Sequence, residues 1–333
     1  MTALHLGLVG LGRIGTMHAQ NIITVNAGGK LTLADLDVAR ALTLAAELGC
    51  EAVDSVEQLL ASGIDALVIA AGTDAHPALI RAGVAAGIPV FCEKPVASNT
   101  AAALELVAYI REHAGVVQIG HQRRFDAGYL EAKRAFDAGE LGWIHTLRAI
   151  TGDSTPPSIE FIAGSGGLFR DCSVHDFDIL RWLTGREIVE IYAKGSNRGD
   201  PAIKAANDVD SALALVTFDD GTLASVAATR YNGGGHDVRL EVQGSTASLA
   251  VGLDAHTALR SAEENTSFPS GPPHSNFMER FQAAYLGEIS AFLELVRGER
   301  ENPCSPEDAA AAARVADAAQ ESLATGKPVV ILS

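Results

Sequence analysis

Two residues that could move a proton, Asp171 and His175, lie four positions apart in the segment GGLFRDCSVHDFD (residues 166–178). The segment otherwise has the pattern of a helix, and residues at i and i+4 share one helical face. Both side chains could therefore project into one cleft. Histidine is the usual general base near neutral pH, and a neighbouring carboxylate can orient or tune it. The pair predicts proton transfer to or from a substrate group.

A second segment, LGLVGLGRIG (residues 6–15), predicts a turn that holds a pyrophosphate. Gly10 permits the tight turn, Gly12 lets the backbone approach the phosphates, and Gly15 lets the helix pack closely on the strand. The phosphates would lie at a helix N-terminus, where N–H groups and the helix dipole favour an anion. The strand before the turn and the helix after it are the context that a dinucleotide site requires.

Three further residues near this turn are predicted to bind the cofactor. Arg13 and Ile14 belong to the GxGxxG motif itself, and Asp35 ends the second predicted strand twenty residues after the motif. The Asp35 carboxylate could accept hydrogen bonds from both ribose hydroxyls and would repel a 2′-phosphate. The sequence therefore predicts NAD rather than NADP. Asp35 could also be a solvated residue at the end of a strand.

Lys94 belongs to Glu93-Lys94-Pro95, directly after a strongly apolar run that predicts the fifth strand. Oxidation of an alcohol by hydride transfer needs a base for the hydroxyl proton and positive charge beside the developing alkoxide. His175 and Lys94 could supply them, and Glu93 and Lys94 are also predicted cofactor contacts. Alone, the histidine could be a core residue and the lysine a solvated one. Together with a dinucleotide turn they predict hydride chemistry on a hydroxyl.

The segment after the fourth predicted strand adds Thr73, Asp74 and His76 as candidates for cofactor binding. Ligands of open α/β sheets bind at the carboxyl ends of the strands. Thr73 and Asp74 are expected near the cofactor or substrate. His76 could instead simply begin a helix.

Composition describes a globular protein that is long enough for two domains. The chain has 333 residues, 47% hydrophobic and 20% charged, and 25 basic against 41 acidic residues give a net charge of −16. Such a charge argues against nucleic acid or an anionic membrane as partner. The N-terminus has no secretory pattern, no run of about eighteen apolar residues predicts a membrane span, and the four cysteines are scattered. A cytoplasmic protein is expected, with no zinc framework.

Short apolar runs alternate with amphipathic stretches over the first 120 residues, which predicts a parallel sheet covered by helices on both faces. The expected fold class is α/β: a doubly wound Rossmann domain over residues 1–121. Residues 122–333 are expected to form an α+β domain on an open, mostly antiparallel sheet that binds substrate and mediates oligomerisation. Its C-terminal helix is a candidate to pack back on the first domain.

Three separated motifs, GLGRIG, FCEKP (residues 91–95) and GGLFRDCSVHDFD, resemble those of the Gfo/Idh/MocA oxidoreductases over essentially the whole chain. The resemblance implies a Rossmann domain followed by an α/β domain whose open sheet forms dimers or tetramers, and a homotetramer is expected here. It also implies that Lys94, Asp171 and His175 are the catalytic set, with the histidine as acid/base.

Within the family, the chain is most similar to inositol 2-dehydrogenases, through TDAH (73–76), RRFDAGY (123–129) and GDSTPP (152–157). This resemblance implies that Arg124 and Asp153 lie near the substrate hydroxyls. Buried hydroxyls of a ring need both donors and acceptors. Arg124 and Asp126 could instead form a structural ion pair, which is the preferred interpretation for Asp126.

One element departs from that resemblance. The chain reads TRYNGGGHD over residues 229–237, where inositol dehydrogenases carry a tyrosine-containing YGYD-like element. His236 takes the place of the expected tyrosine and is predicted to contact the substrate, which leaves the identity of the polyol open. The glycines could also form only a flexible hairpin.

The sequence therefore predicts an NAD-dependent dehydrogenase of a cyclitol hydroxyl, with myo-inositol oxidised to 2-keto-myo-inositol as the leading candidate. The alternatives are a dehydrogenase of a pyranose sugar or anhydrosugar and, with less support, a non-catalytic NAD-sensing regulator. No metal is expected.

Overall fold

The structure, a computed structural model, describes residues 3–332. Its strands, numbered in chain order, are β1 (His5–Val9), β2 (Lys30–Ala34), β3 (Glu51–Ala52), β4 (Ala66–Ile69), β5 (Val90–Glu93), β6 (Val117–Gly120), β7 (Ile144–Gly152), β8 (Ile188–Ser196), β9 (Ser211–Phe218), β10 (Leu223–Thr229), β11 (Asp237–Gly244), β12 (Ser248–Val251) and β13 (Val329–Val330).

The α-helices are α1 (Arg13–Val25), α2 (Val38–Leu48), α3 (Val56–Ala61), α4 (His76–Ala85), α5 (Thr100–Glu112), α6 (Ala127–Asp137), α7 (Ile159–Gly164), α8 (Val174–Thr184), α9 (Pro201–Ala205), α10 (Phe277–Arg280), α11 (Gln282–Val296) and α12 (Pro306–Thr325). Single 3₁₀ turns occupy Thr73–Ala75 and Gln122–Phe125, and a π-helical turn occupies Phe169–Ser173.

The chain divides into two compact units. The first ends at Phe125 and also includes Ala283–Ala310, and the second consists of Asp126–Gln282 and the residues from Ala311 onward. The prediction of two domains with one boundary between residues 121 and 122 stays a prediction. The compact division groups residues 283–310, from the C-terminal part of the chain, with the N-terminal sheet.

The first unit contains a six-stranded sheet in the order β3-β2-β1-β4-β5-β6, and all of its strand pairs are parallel. The order reverses beside β1, so the connections run outward in both directions, as in doubly wound folds. Strands β1, β2, β4, β5 and β6 all end at one edge of this sheet. The predicted cofactor residues follow those strand ends, so the fold confirms the predicted Rossmann architecture.

Helices cover both faces of this sheet, which explains why its strands read as continuous apolar runs rather than alternating ones. Leu6, Leu8 and Leu33 on one face are buried with Ile289 and Phe292 of α11. Helix α12 begins with a reciprocal capping box: the Asp308 N–H donates to Ser305 Oγ, and the Ser305 N–H donates to Asp308 Oδ2, each at 3.1 Å.

The second unit contains a seven-stranded sheet in the order β12-β11-β7-β10-β9-β8-β13. Five of its neighbouring pairs are antiparallel and only β7 with β10 is parallel, which agrees with the predicted mostly antiparallel sheet. Alternate residues of β9 and β10 are buried, as expected where one face covers a core. Helix α8, with Phe177, Leu180 and Leu183 buried, packs against β7.

The opposite face of this sheet exposes leucines. Leu213 and Leu215 of β9 are 65% and 64% exposed, and Leu223 of β10 is 52% exposed. Large apolar residues that cluster on one exposed sheet face commonly mark an interaction surface. Within residues 3–332, no helix combines the length and the apolar character needed to cross a bilayer.

The helix predicted to carry Asp171 and His175 is not a regular α-helix along its whole length. The segment that contains Asp171 and His175, predicted to be helical, begins with the π-helical turn Phe169–Ser173 and continues as α8 to Thr184. The period-3.6 pattern of apolar residues does not distinguish a widened turn from a regular one. Such π-helical turns occur frequently at functional sites.

Candidate active site

The glycines of the first unit build the turn that the motif predicts. Gly10 has φ +90°, and a Cβ atom there would lie 2.5 Å from the Ala71 backbone. A Cβ on Gly15 would lie 1.8 Å from the Gly10 carbonyl oxygen, so this glycine lets α1 approach the strand. A Cβ on Gly12 would meet nothing within 4 Å, so that position adjoins open space. The turn therefore offers room for a pyrophosphate where the motif expects one.

Helix α1 begins directly after this turn, and its start suits an anion. Its N-cap is Gly12, which supplies no side-chain acceptor to the first N–H groups of the helix. Those groups can donate to a phosphate. Arg13 is exposed in the first turn and Ile14 is half-buried. Both therefore lie beside the predicted phosphate position.

Asp35 braces the same turn. Its Oδ2 accepts from the Leu11 N–H at 2.6 Å, and its Oδ1 accepts from the Asp37 N–H at 2.8 Å. A carboxylate has about four acceptor sites, so two backbone bonds leave capacity for ribose hydroxyls. The guanidinium of Arg40 lies 3.8 Å from Asp35 Oδ1. The acid therefore belongs structurally to the glycine turn, in addition to its predicted role.

The predicted residues after β4 have different environments. Thr73 is half-buried and Asp74 is exposed, both in the 3₁₀ turn at the strand's carboxyl end. His76 is buried, with Nδ1 2.7 Å from the Pro95 carbonyl oxygen and Nε2 3.0 Å from that of Ala71. These contacts link two loops of the sheet edge. They support the structural interpretation of His76.

Lys94 follows β5 and is half-buried, with a cis peptide bond to Pro95. The residue before it, Glu93, ends the strand, and its Oε1 lies 2.7 Å from His18 Nε2 on α1. A Cβ on Gly120 of β6 would lie 3.3 Å from the Glu93 carboxylate, so the glycine makes space for that acid. The lysine therefore extends from a strand end whose last residue is held from a neighbouring helix.

Arg124 also belongs to the first unit, where it is buried. Its Nη1 donates to the Pro303 carbonyl oxygen at 2.9 Å and to Asp308 Oδ2 at 3.2 Å. Asp126 has structural contacts in the second unit: it caps α6 and pairs with Arg280 at 2.7 Å. These contacts give Asp126 a structural role, with Arg280 as a basic partner.

The second unit holds the predicted acid/base pair. Asp171 lies in the π-helical turn, and His175 lies in the first turn of α8, where it is buried. Asp171 Oδ2 accepts from Nη1 of Arg230 at 2.6 Å. Arg230 is fully buried, and its Nη2 donates to Asp208 at 3.2 Å. The carboxylate of Asp171 is therefore fixed by a guanidinium from the end of β10.

Charge balance explains how Arg230 tolerates this position. Burial alone would lower its pKa, but the neighbouring acidic groups of Cys172, Asp171 and Asp208 raise it above the ordinary value. Two carboxylates around one guanidinium satisfy a charge that could not be buried alone. Sequence reasoning missed Arg230, although it lies inside the TRYNGGGHD segment. A basic residue at the C-terminal end of a predicted strand was the available signal.

Asp153 and His236, both predicted to contact substrate, come together in this unit. His236 Nδ1 lies 3.4 Å from Asp153 Oδ1, and His236 is buried while Asp153 is partly exposed. The Cys172 sulfur lies 3.8 Å from Asp153 Oδ2 and 3.9 Å from Asp171 Oδ2. Asp153, Asp171 and His236 therefore belong to one polar cluster around Cys172 and Arg230.

Comparison with known proteins agrees with this architecture. Residues 4–121 match a family model described as an oxidoreductase family with an NAD-binding Rossmann fold, and residues 129–250 match the GFO/IDH/MocA C-terminal domain. The chain is 37% identical to the scyllo-inositol 2-dehydrogenase (NAD(+)) of Bacillus subtilis, over 97% of this chain and 94% of the relative. It is 36% identical to a myo-inositol dehydrogenase of Streptomyces leeuwenhoekii, over 96% and 98%.

A solved structure with a very similar fold is that of scyllo-inositol dehydrogenase from Lactobacillus casei with bound cofactor NAD(H) and scyllo-inositol. The TM-score is 0.90 at 31% identity, and the match covers 100% of both chains. The full-length match confirms the resemblance drawn from the three motifs. On its fold, its two matching domain models and its relatives, this chain belongs to the Gfo/Idh/MocA family of NAD-binding oxidoreductases.

Proposed function

We propose that the protein oxidises a secondary hydroxyl of a cyclitol with NAD, most closely as an inositol 2-dehydrogenase that converts myo-inositol to 2-keto-myo-inositol. The observation that carries this proposal is the Arg230-held Asp171 carboxylate, one helical turn before the buried His175. A fixed carboxylate next to a buried imidazole is suited to proton transfer. Relatives named as myo- and scyllo-inositol dehydrogenases support the substrate class.

The residues of the first unit fit NAD. The space beside Gly12, the helix N-terminus of α1 with no side-chain cap, and the acid at the end of β2 provide for a pyrophosphate and a ribose. Bound NAD would supply the hydride acceptor. The cofactor-binding set we propose is Gly10, Gly12, Arg13, Ile14, Gly15, Asp35, Thr73, Asp74, Glu93 and Lys94, with His76 in support of the loops.

Three side chains divide the work at the substrate. His175 takes the hydroxyl proton, because a neutral imidazole is a base of the appropriate strength near neutral pH. Asp171, held by Arg230, orients that imidazole and stabilises the charge it gains. The ammonium of Lys94 holds the hydroxyl oxygen and stabilises negative charge on it as the proton leaves.

Asp153 and His236 are proposed to set the substrate's orientation. Their side chains are 3.4 Å apart, and together they present acceptors and a ring nitrogen to a polyhydroxylated ring. Arg124, whose guanidinium also contacts Pro303 and Asp308, is proposed to lie near the substrate hydroxyls, as the family resemblance implies. Because His236 replaces an expected tyrosine, this pair is where the choice of polyol would be made.

The direct test is a substrate panel. We expect purified protein with NAD to give an increase in NADH absorbance with myo-inositol or scyllo-inositol, and a lower kcat/KM with hexopyranoses and an anhydrosugar. Higher kcat/KM for a hexopyranose would favour the sugar alternative instead. NAD binding without turnover on any member of the panel would contradict the enzyme proposal and favour a nucleotide-sensing role.

Replacing the base tests the mechanism. We expect His175→Ala to lower kcat about 10²–10⁴-fold, the usual contribution of a general base, while the dissociation constant for NAD stays within twofold to threefold, roughly the scatter of such measurements. Steady-state kinetics and NAD titration by fluorescence measure the two effects. His113→Ala, at an exposed histidine after α5, is the matched control. Turnover at the wild-type level in His175→Ala would reject the assignment.

Replacing the ribose acid tests the cofactor assignment. Hydrogen bonds to a charged group contribute about 1.5–3 kcal/mol, so Asp35→Ala should raise the KM for NAD at least about tenfold. Asp37→Ala is the control, because Asp37 is an exposed acid two residues on whose side chain caps α2 and pairs with Arg40. An unchanged KM for NAD in Asp35→Ala would overturn the assignment.

We also propose that the exposed sheet face of the second unit, formed by Leu213, Leu215 and Leu223, joins copies of this chain into a homotetramer or dimer. Covering each leucine would contribute on the order of 1.5–3 kcal/mol. A cytoplasmic location is proposed with it, supported by four cysteines that are all free thiols in the structure.

The sheet face has a clear test. We expect light scattering after size exclusion to give the mass of an oligomer for the wild type. Leu213→Asp/Leu215→Asp should give smaller species, because buried unpaired carboxylates oppose association. Leu42→Asp, at a leucine 55% exposed on α2, should leave the mass unchanged. A monomeric wild type, or an unchanged mass in the double variant, would contradict the proposed interface.

A further inference from the structure

A buried cluster of three titratable side chains lies behind the residue that precedes Lys94. It consists of His18 on α1, Glu93 at the end of β5 and Glu288 on α11, with one ligand-type atom of each within 4.8 Å of the others. His18 Nε2 is 2.7 Å from Glu93 Oε1 and 3.9 Å from Glu288 Oε1. The side chains of His18 and Glu288 are fully buried, and that of Glu93 is 13% exposed.

The surroundings of this cluster are largely apolar. The rings of Phe91 and Tyr285 meet the His18 ring edge-on, with centroids 5.3 and 6.0 Å away. Burial, and then the charges of Glu93 and Glu288, raise the pKa of Tyr285 well above its ordinary value, while Arg123 and Arg13 act in the opposite direction. Tyr285 is therefore a neutral phenol at physiological pH.

The hydrogen-bond inventory indicates where the protons are. Among residues 3–332, Nδ1 of His18 is buried with no hydrogen-bond partner, so an imidazolium would leave an N–H donor unsatisfied. The ring therefore fits the neutral tautomer that donates from Nε2 to Glu93. Both oxygens of Glu288 are likewise buried without a partner in the described chain. Nothing in this inventory compensates a charge on Glu288.

Two neighbouring carboxylates in such a place cannot both ionise, and one retains a proton. Glu93 accepts a hydrogen bond and has some contact with solvent, whereas Glu288 has neither. Burial, with the nearby Glu93 charge as a second cause, raises the pKa of Glu288 well above its ordinary value. The proton therefore belongs on Glu288.

A metal ion is the other way to neutralise two carboxylates, and the distances argue against it. Ligand atoms at about 2.0–2.2 Å from a tetrahedral ion lie about 3.3 Å from each other. The 2.7 Å between His18 and Glu93 is instead a hydrogen-bond distance. The cluster is therefore organised around the hydrogen bond between His18 and Glu93.

We propose that His18 and neutral Glu288 are positioning residues for Lys94, which they hold through Glu93, the adjacent residue in the chain. His18 donates to the Glu93 carboxylate, and the Glu288 carboxyl group keeps the cluster at a single negative charge. The strand end before the lysine is thereby held from α1, while α11 supplies the carboxyl group that limits the charge of the cluster. This inference rests on the proposed function, which places the Lys94 ammonium on the substrate hydroxyl.

Kinetics of paired variants test the positioning role. Gln can reproduce the Nε2–H donor of His18 and the neutral carboxyl of Glu288, whereas Leu keeps volume and removes the polar group. We expect His18→Gln and Glu288→Gln to retain kcat within about threefold. The Leu variants should lose about 10–10²-fold in kcat, the effect of displacing a catalytic group by about 1 Å. A purely structural role would change stability but not kcat of the folded enzyme.

Infrared spectroscopy tests the protonation state without any substrate. The difference spectrum of wild type minus Glu288→Gln should contain the C=O stretch of a protonated carboxyl group at pH 7 and pH 8. This readout also remains informative if the Leu variants fail to fold.

The proposal is overturned by carboxylate bands alone in that difference spectrum, or by Leu variants that fold and keep wild-type kcat. Stoichiometric metal in the purified protein, lost in Glu288→Gln, would likewise replace it with a metal site. Failure of the proposed function looks different, because then the wild type itself oxidises no cyclitol while the infrared result still stands.

Discussion

The buried guanidinium of Arg230 is the interaction on which the candidate site of the second unit depends. It lies between Asp171 and Asp208 with its side chain fully buried, and it comes from the end of β10. Removing one partner of a buried ion pair typically costs about 3–5 kcal/mol, because the remaining charge is left unpaired. The sheet and the helical turn that carries Asp171 are therefore fixed to each other by charge. That constraint fixes the position of the Asp171 carboxylate, one helical turn before His175.

In the first unit, the glycine turn, an acidic residue and a lysine lie at one edge of a parallel sheet. Parallel strands place their carboxyl ends together, so residues far apart in sequence, such as Gly10, Asp35 and Lys94, follow neighbouring strand ends. The small residues at this edge have steric reasons. Gly10 and Gly15 have no space for a side chain, and Gly120 leaves room for Glu93.

Much of this could be predicted from the sequence because the signals were local. The motif after β1 has its helix and strand in the expected places. The capping box of Ser305 and Asp308 depends on a spacing of three residues, so it too is a local sequence pattern. Motif spacing likewise identified the family.

What could not be predicted depends on contacts between distant residues. Arg230 and Asp208 are separated from Asp171 by tens of residues, and no periodicity shows that a strand end will approach a helical turn. The return of α11 to the first sheet has the same cause, and with it the position of Glu288. The π-helical turn could not be predicted, because one extra residue in a turn hardly alters the spacing of the apolar residues. The candidate site residues could therefore be predicted from local motifs, whereas the residues that hold them in place could be identified only from the fold.

The double use of Asp35 has a consequence for engineering cofactor preference. Its carboxylate accepts the Leu11 N–H within the glycine turn, at 2.6 Å. Replacing Asp35 with a neutral residue would remove the charge that repels the 2′-phosphate of NADP. It would therefore also remove a hydrogen bond from the loop that is expected to bind the pyrophosphate. A redesign that leaves the acid in place and recruits Arg40, already 3.8 Å away, starts from an intact turn. In this protein, one side chain, Asp35, affects both the choice between NAD and NADP and the conformation of the glycine turn.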